Sequence, residues 1–150
     1  MRIWLWKYKT FLSSMRAFMV VGLVTAVFCL LSLEKFNGVL GDRTFYLYSV
    51  SSQSLQKEKL FISELFSVTG ESVQFAFEGK PKAEAEWLVA RFGGRILFTE
   101  EVAGVVSYYA YTPNFFDGVT LNGVRVNLHI AFCEETGVGV IGSPIIFCGF

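Results

Sequence analysis

Apolar and polar residues alternate along the second half of the chain with the period of two that is typical of a β-strand with one buried face. The clearest run is Val124–Cys133, in which each even-numbered position holds a large apolar residue. Asn122-Gly123 precedes this run, and this dipeptide is the strongest short signal for a two-residue hairpin turn. The pattern predicts that the even-numbered side chains of Val124–Phe132 face the core.

Shorter apolar runs between turn residues predict the other strands. A turn is predicted at residues 70–72. In Leu55–Val68 the apolar positions fit helical as well as alternating spacing, so a helix over Leu55–Phe66 and a strand over Lys59–Ser67 both remain open, and the strand is favoured. The remaining predicted strands are Arg43–Ser49, Val73–Phe77, Ile96–Glu101, Val105–Tyr111, Val119–Leu121 and Val138–Phe147.

One helix is predicted clearly, over Pro81–Gly94. Proline suits the first turn of a helix and glycine suits its end. Ala85, Leu88, Val89 and Phe92 recur at helical spacing and predict one buried stripe. The chain is therefore expected to form an α+β fold, with about six antiparallel strands and one or two helices on one face of the sheet.

The register of the last hairpin follows from a four-residue turn at Glu134–Gly137. This turn places Ile130 opposite Ile141 and Val126 opposite Ile145, so that apolar residues meet on the core face. The same register keeps the last two cysteines far apart along the ladder. A disulfide between Cys133 and Cys148 is therefore not expected.

A different pattern precedes the folded part of the chain. Residues 17–33 carry no charge, and a helix of this length spans about 26 Å, slightly less than the hydrocarbon core of a bilayer. A cleaved signal peptide and a buried core helix are alternatives, but the run has no polar stripe and no good cleavage site follows it. The sequence thus favours a membrane anchor within residues 1–40, followed by a domain of residues 41–150.

Charge then gives this arrangement an orientation. The chain has 150 residues with 13 basic and 13 acidic side chains, but four bases and no acid precede residue 34. Positively charged flanks of a membrane segment stay in the cytoplasm. The expected location is therefore the cell membrane, which the chain crosses once, with lipid around residues 17–33 and the domain outside the cell. The domain carries four more acids than bases, which argues against nucleic acid as a partner.

Candidate chemistry is sparse in this sequence. His129 is the only histidine, and no carboxylates or cysteines stand at metal-ligand spacing from it. Cys133 lies four residues further along the strand, about 13 Å away, which is too far for a direct hydrogen bond. No catalytic residues, cofactor site or metal site are predicted, and an enzyme is not favoured.

The residues most suited to contact a partner or ligand lie opposite the core. Arg125, Asn127 and His129 share the polar face of their strand, and Phe115 and Phe116 stand together in a turn-rich loop, where at least one of them should be exposed. A helix over residues 55–66 is the alternative cover for this face. Two functions fit: a non-enzymatic binding or scaffolding domain that contacts an envelope protein, or a domain that binds, and in one version hydrolyses, a small molecule or glycan around His129.

Several short runs carry a family resemblance: VSYYAYTP at 106–113, VNLHIAF at 126–132, GSPIIF at 142–147, SSQ at 51–53 and GESV at 70–73. In these runs the chain resembles the YwmB-like proteins of Firmicutes. That family is similar in fold to the TATA-box-binding protein, so the resemblance implies a curved antiparallel sheet with helices packed on it, behind an N-terminal membrane segment. It implies a role in the cell envelope, connected with wall remodelling or sporulation, and it brings no catalytic residues. A shared fold does not imply DNA binding.

Overall fold

The computed structural model describes residues 15–26 and 35–147. The chain forms two compact units, residues 1–34 and residues 35–150. In the first unit, residues 15–26 are helical (α1). None of the helices in the described residues combines the length and apolar character that a membrane crossing requires. Residues 27–33 of the expected anchor, and Cys148, lie outside the described residues.

The second unit has an α+β fold, as expected. Its strands are β1 (Asp42–Leu47), β2 (Leu55–Lys57), β3 (Val68–Ala76), β4 (Arg95–Val102), β5 (Val105–Tyr111), β6 (Val119–Leu121), β7 (Val124–Val126), β8 (Leu128–Cys133) and β9 (Val138–Ser143). Seven of them form one antiparallel sheet in the order β2-β1-β3-β9-β8-β5-β4, one strand more than the six expected. The remaining two, β6 and β7, form a separate antiparallel ribbon.

A single α-helix, α2 (Pro81–Arg91), packs on one face of this sheet. Its buried residues Ala85, Leu88 and Val89 share a core with Leu128, Ile130 and Phe132 of β8. The prediction that the even-numbered residues of this strand face the helix is therefore confirmed for β8. The helix stops at Arg91, before the predicted end at Gly94. Gly93 takes a positive φ of 66°, and its N–H donates back to the carbonyl of Ala90.

The long predicted strand Val124–Cys133 is interrupted at Asn127 in the structure. Beyond this point the register is confirmed, because Ile130 pairs with Ile141. The prediction that Val126 pairs with Ile145 is wrong, since β9 ends at Ser143, ahead of a proline that has no N–H for the ladder. Val126 pairs with Val119 of β6 instead.

The predictions for residues 59–72 are wrong. No strand covers Lys59–Ser67; a 3₁₀ helix occupies Ile62–Ser67. The turn predicted at residues 70–72 lies inside β3. Its Glu71 is only 1 % exposed and pairs with Arg43 of β1, with Nε and Oε1 3.3 Å apart. Burial of a carboxylate is costly unless it is paired, and this pairing explains why a charged residue is tolerated inside the sheet.

Candidate functional site

The outer face of the sheet, defined here by Phe98, Tyr109, His129 and Gly142, lies opposite α2. These four residues face one another on adjacent strands β4, β5, β8 and β9. The rings of Phe98, Tyr109 and His129 form a continuous stack, with centroids 4.5 Å apart between Phe98 and Tyr109 and 4.3 Å apart between Tyr109 and His129. The face that the sequence marks as polar is therefore partly aromatic.

His129 is buried at the end of this stack, which corrects the expectation that it is partly exposed on the polar face. It is 8 % exposed, and its Nδ1 accepts a hydrogen bond of 3.2 Å from the N–H of Ile146. Burial lowers the pKa of His129 to about 4, so the ring is neutral at pH 7. With Nδ1 as the acceptor, the proton resides on Nε2.

The C-terminal segment, Pro144–Phe147, covers the end of the outer face that holds His129 and Gly142. It folds back over Gly142, where a Cβ atom would come within 2.8 Å of the Ile146 side chain. The Phe147 ring meets Tyr46 edge to face at 5.3 Å. The cover therefore comes from this segment, whereas Phe66 of the 3₁₀ helix is 96 % exposed.

Asn127 is also buried, contrary to expectation, and it holds a loop in place. Its Oδ1 accepts from the N–H of Thr112 at 2.8 Å, and its Nδ2 donates to the carbonyls of Thr112 and Phe115 at 2.7 and 2.8 Å. One side chain thus satisfies three main-chain groups. Asn127 therefore connects the interruption between β7 and β8 with the loop 112–118, while its own N–H donates to the Ala110 carbonyl of β5.

The two adjacent phenylalanines in this loop have opposite environments. Phe116 is 94 % exposed, which confirms the prediction that at least one of them is exposed. Phe115 packs against Phe36 and Phe92, with ring centroids 5.7 and 5.8 Å away. Of the five candidate residues, Phe116 and Arg125 are therefore the exposed ones.

Arg125 lines a cleft that the sequence does not reveal. This arginine cleft has a volume of about 360 Å³ and opens to solvent, and its walls are Arg95, Leu97, Tyr111, Val124 and Arg125. The pairing of β4 with β5 places Arg95 directly opposite Tyr111. Strand pairing alone could have indicated that contact, but nothing in the sequence shows that the β6–β7 ribbon would complete the cleft.

A second polar arrangement, also missed by sequence reasoning, lies where the folded unit begins. The Lys35 ammonium pairs with Asp117 and donates to Ser143 Oγ at 3.2 Å, while its main-chain N–H donates to Glu71 at 3.0 Å. The next residue, Phe36, is fully buried. The start of the unit is therefore fixed to the loop that carries Phe116.

Metal ligation finds no support in residues 15–26 and 35–147, where no three histidine, cysteine or carboxylate side chains come together. Comparisons with protein families, with curated proteins and with solved structures found no match. The function is therefore argued below from the residues and their geometry.

Proposed function

We propose that this protein is a membrane-anchored, extracytoplasmic binding or scaffolding domain of the cell envelope, with the N-terminus in the cytoplasm. The observation that carries the proposal is the surface of α1. It presents a set of exposed apolar side chains within the charge-free run: Phe18, Met19, Val20, Val21, Leu23 and Val24. Exposed apolar surface of this kind calls for an apolar environment, and lipid is the one that fits a run next to four basic residues.

A binding role fits the second unit better than catalysis. The exposed Phe116 of the loop 112–118 and the exposed Arg125 of β7 are held together, since Arg125 Nη2 donates to the Phe116 carbonyl at 2.6 Å. His129, the residue on which a catalytic hypothesis depends, is enclosed beneath the C-terminal segment. The resemblance to YwmB-like proteins agrees with the proposed location and adds no chemistry.

Accessibility labelling in living cells tests the location. Two variants of the full chain, each in a background with the native cysteines replaced by serine, carry one new cysteine: Lys82→Cys in the exposed first turn of α2, and Lys7→Cys near the N-terminus. We expect a membrane-impermeant maleimide to label the first variant in intact cells and the second only after permeabilisation. The reverse pattern would contradict the orientation.

Anchoring is tested separately by the mass of the protein in the membrane fraction. An intact N-terminus in a fraction that resists alkaline extraction supports the anchor. A mature chain that begins near residue 38 would instead show that the apolar run is a cleaved signal.

A further inference from the structure

The arginine cleft is lined by two cationic side chains and no acidic one. Arg95 is the first residue of β4, and Arg125 lies in the middle of β7, so two separate sheets contribute to one site. The remaining walls are the Tyr111 ring and the aliphatic side chains of Leu97 and Val124. The cleft therefore combines positive charge with an apolar surface.

Arg125 is held in a fixed position within this cleft. Its Nη2 donates to the Phe116 carbonyl, and its stem crosses Gly118, where a Cβ atom would come within 2.9 Å of Nε. A guanidinium has five N–H donors, so one bond to a carbonyl leaves several of them for a ligand. Pre-organisation of this kind lowers the entropic cost of binding.

The cleft carries positive charge in a unit whose net charge is negative. Within residues 35–147, neither Arg95 nor Arg125 forms an ion pair, although the sequence from residue 34 onward has 13 acids for 9 bases. By contrast, Arg43 pairs with Glu71. Two guanidinium groups that face one cleft repel each other, and an anion placed between them would attract both and offset that repulsion.

We propose that the arginine cleft binds the phosphate group of a small phosphate ester. Guanidinium groups match the tetrahedral oxygens of phosphate with paired hydrogen bonds, and two of them balance its charge. The ring of Tyr111 and the side chains of Leu97 and Val124 contact the carbon part of the ester. A volume of about 360 Å³ suits one such group, and the net negative charge of the unit disfavours a long polyphosphate chain.

The same chemistry occurs in a soluble phosphate ester and in the headgroup of a phospholipid. The inference names a ligand for the proposed binding role, and it does not depend on the membrane anchor. Failure of the labelling experiment would contradict the proposed location but not the phosphate site. Failure of the titration below would contradict the phosphate site but not the location.

The test is a titration of the ¹⁵N-labelled full chain in uncharged maltoside micelles. In one arm the probe is glycerol 3-phosphate, and in the other it is phosphatidylglycerol doped into the micelles, with phosphatidylcholine as the matched lipid. The readout is the shift of the Leu97 and Val124 amide resonances. We expect saturable shifts with glycerol 3-phosphate, and tighter binding of phosphatidylglycerol would assign the lipid as the source.

The variants Arg95→Gln and Arg125→Gln should each weaken binding about tenfold, the effect of losing one charge-assisted contact. Arg91→Gln is the matched control, because Arg91 lies against Trp87 outside the cleft, and it should leave binding unchanged. Arg95 makes no hydrogen bond to another described side chain, so its variant keeps the test valid if Arg125→Gln disturbs the loop. Absence of shifts in both arms, or shifts that survive in both variants, would overturn the proposal.

Discussion

Asn127 joins the loop that carries Phe115 and Phe116 to the sheet, and its replacement by alanine measures the strength of that connection. The side chain is fully buried and makes its three hydrogen bonds with main-chain groups of Thr112 and Phe115. In Asn127→Ala, one N–H and two carbonyls lose their partners together. A buried group left without a partner costs about 1–3 kcal/mol.

The expected loss of unfolding free energy is about 3 kcal/mol, below the full sum because part of the loop can turn towards water. With a urea dependence of about 1.5 kcal/mol per molar, the unfolding midpoint should fall by about 2 M. The assay is urea unfolding of the full chain in maltoside detergent, followed by the near-ultraviolet circular dichroism of its aromatic residues.

The matched control is Asn114→Ala, which removes a second amide from the same loop. Asn114 Nδ2 donates to the Phe92 carbonyl at 3.0 Å from an exposed position, so water can replace it at a cost below about 1 kcal/mol. Equal shifts of the two midpoints would show that burial of the Asn127 network contributes nothing beyond an ordinary surface hydrogen bond.

Three further predictions follow from the outer face and the loop. Burial lowers the pKa of His129 to about 4, so as the pH falls the unfolded chain protonates this histidine before the folded chain does. The unfolding free energy should therefore fall by up to about 3 kcal/mol between pH 6.5 and 4, and His129→Gln should remove that part of the pH dependence in urea unfolding. Phe116→Ser should weaken partner capture and change stability by less than about 0.5 kcal/mol, whereas Phe115→Ser should cost more than about 2 kcal/mol; equal thermal midpoints would contradict their different burial. Gly142→Ala should push Ile146 away and raise the pKa of His129 towards 6.5 in an NMR titration, and an unchanged pKa would show that the segment does not control it.

The parts of the fold that the sequence predicts well are those in which local signals agree with one another. The bounds of β5 and β6 match the prediction, and Asn122 and Gly123 both adopt the positive φ that their hairpin turn requires. Residues 59–72 fail because their decisive contacts are distant in sequence. Gly70 lies against the Ser143 carbonyl and Glu71 pairs with Arg43, and neither partner can be identified from local spacing.

In the candidate site, too, local signals predict some features, and contacts distant in sequence determine the others. Exposure of Phe116 follows from its place in a turn-rich loop. Burial of His129 depends on the C-terminal segment, which the sequence suggests should continue as a strand. The arginine cleft requires two sheets to meet, so Arg95 could be recognised only once the position of the β6–β7 ribbon was known.

The central place of β9 in the sheet has a consequence for biosynthesis. β1, β2 and β3 pair among themselves, and β4, β5 and β8 do the same, but the two groups are joined only where β9 pairs with both β3 and β8. Until residues 138–143 are synthesised, β3 and β8 each lack a partner on the side that β9 will occupy, and such open edges can pair with other chains. A chain truncated after Gly137 would keep both edges open, so the seven-stranded sheet cannot form until residues 138–143 have been synthesised.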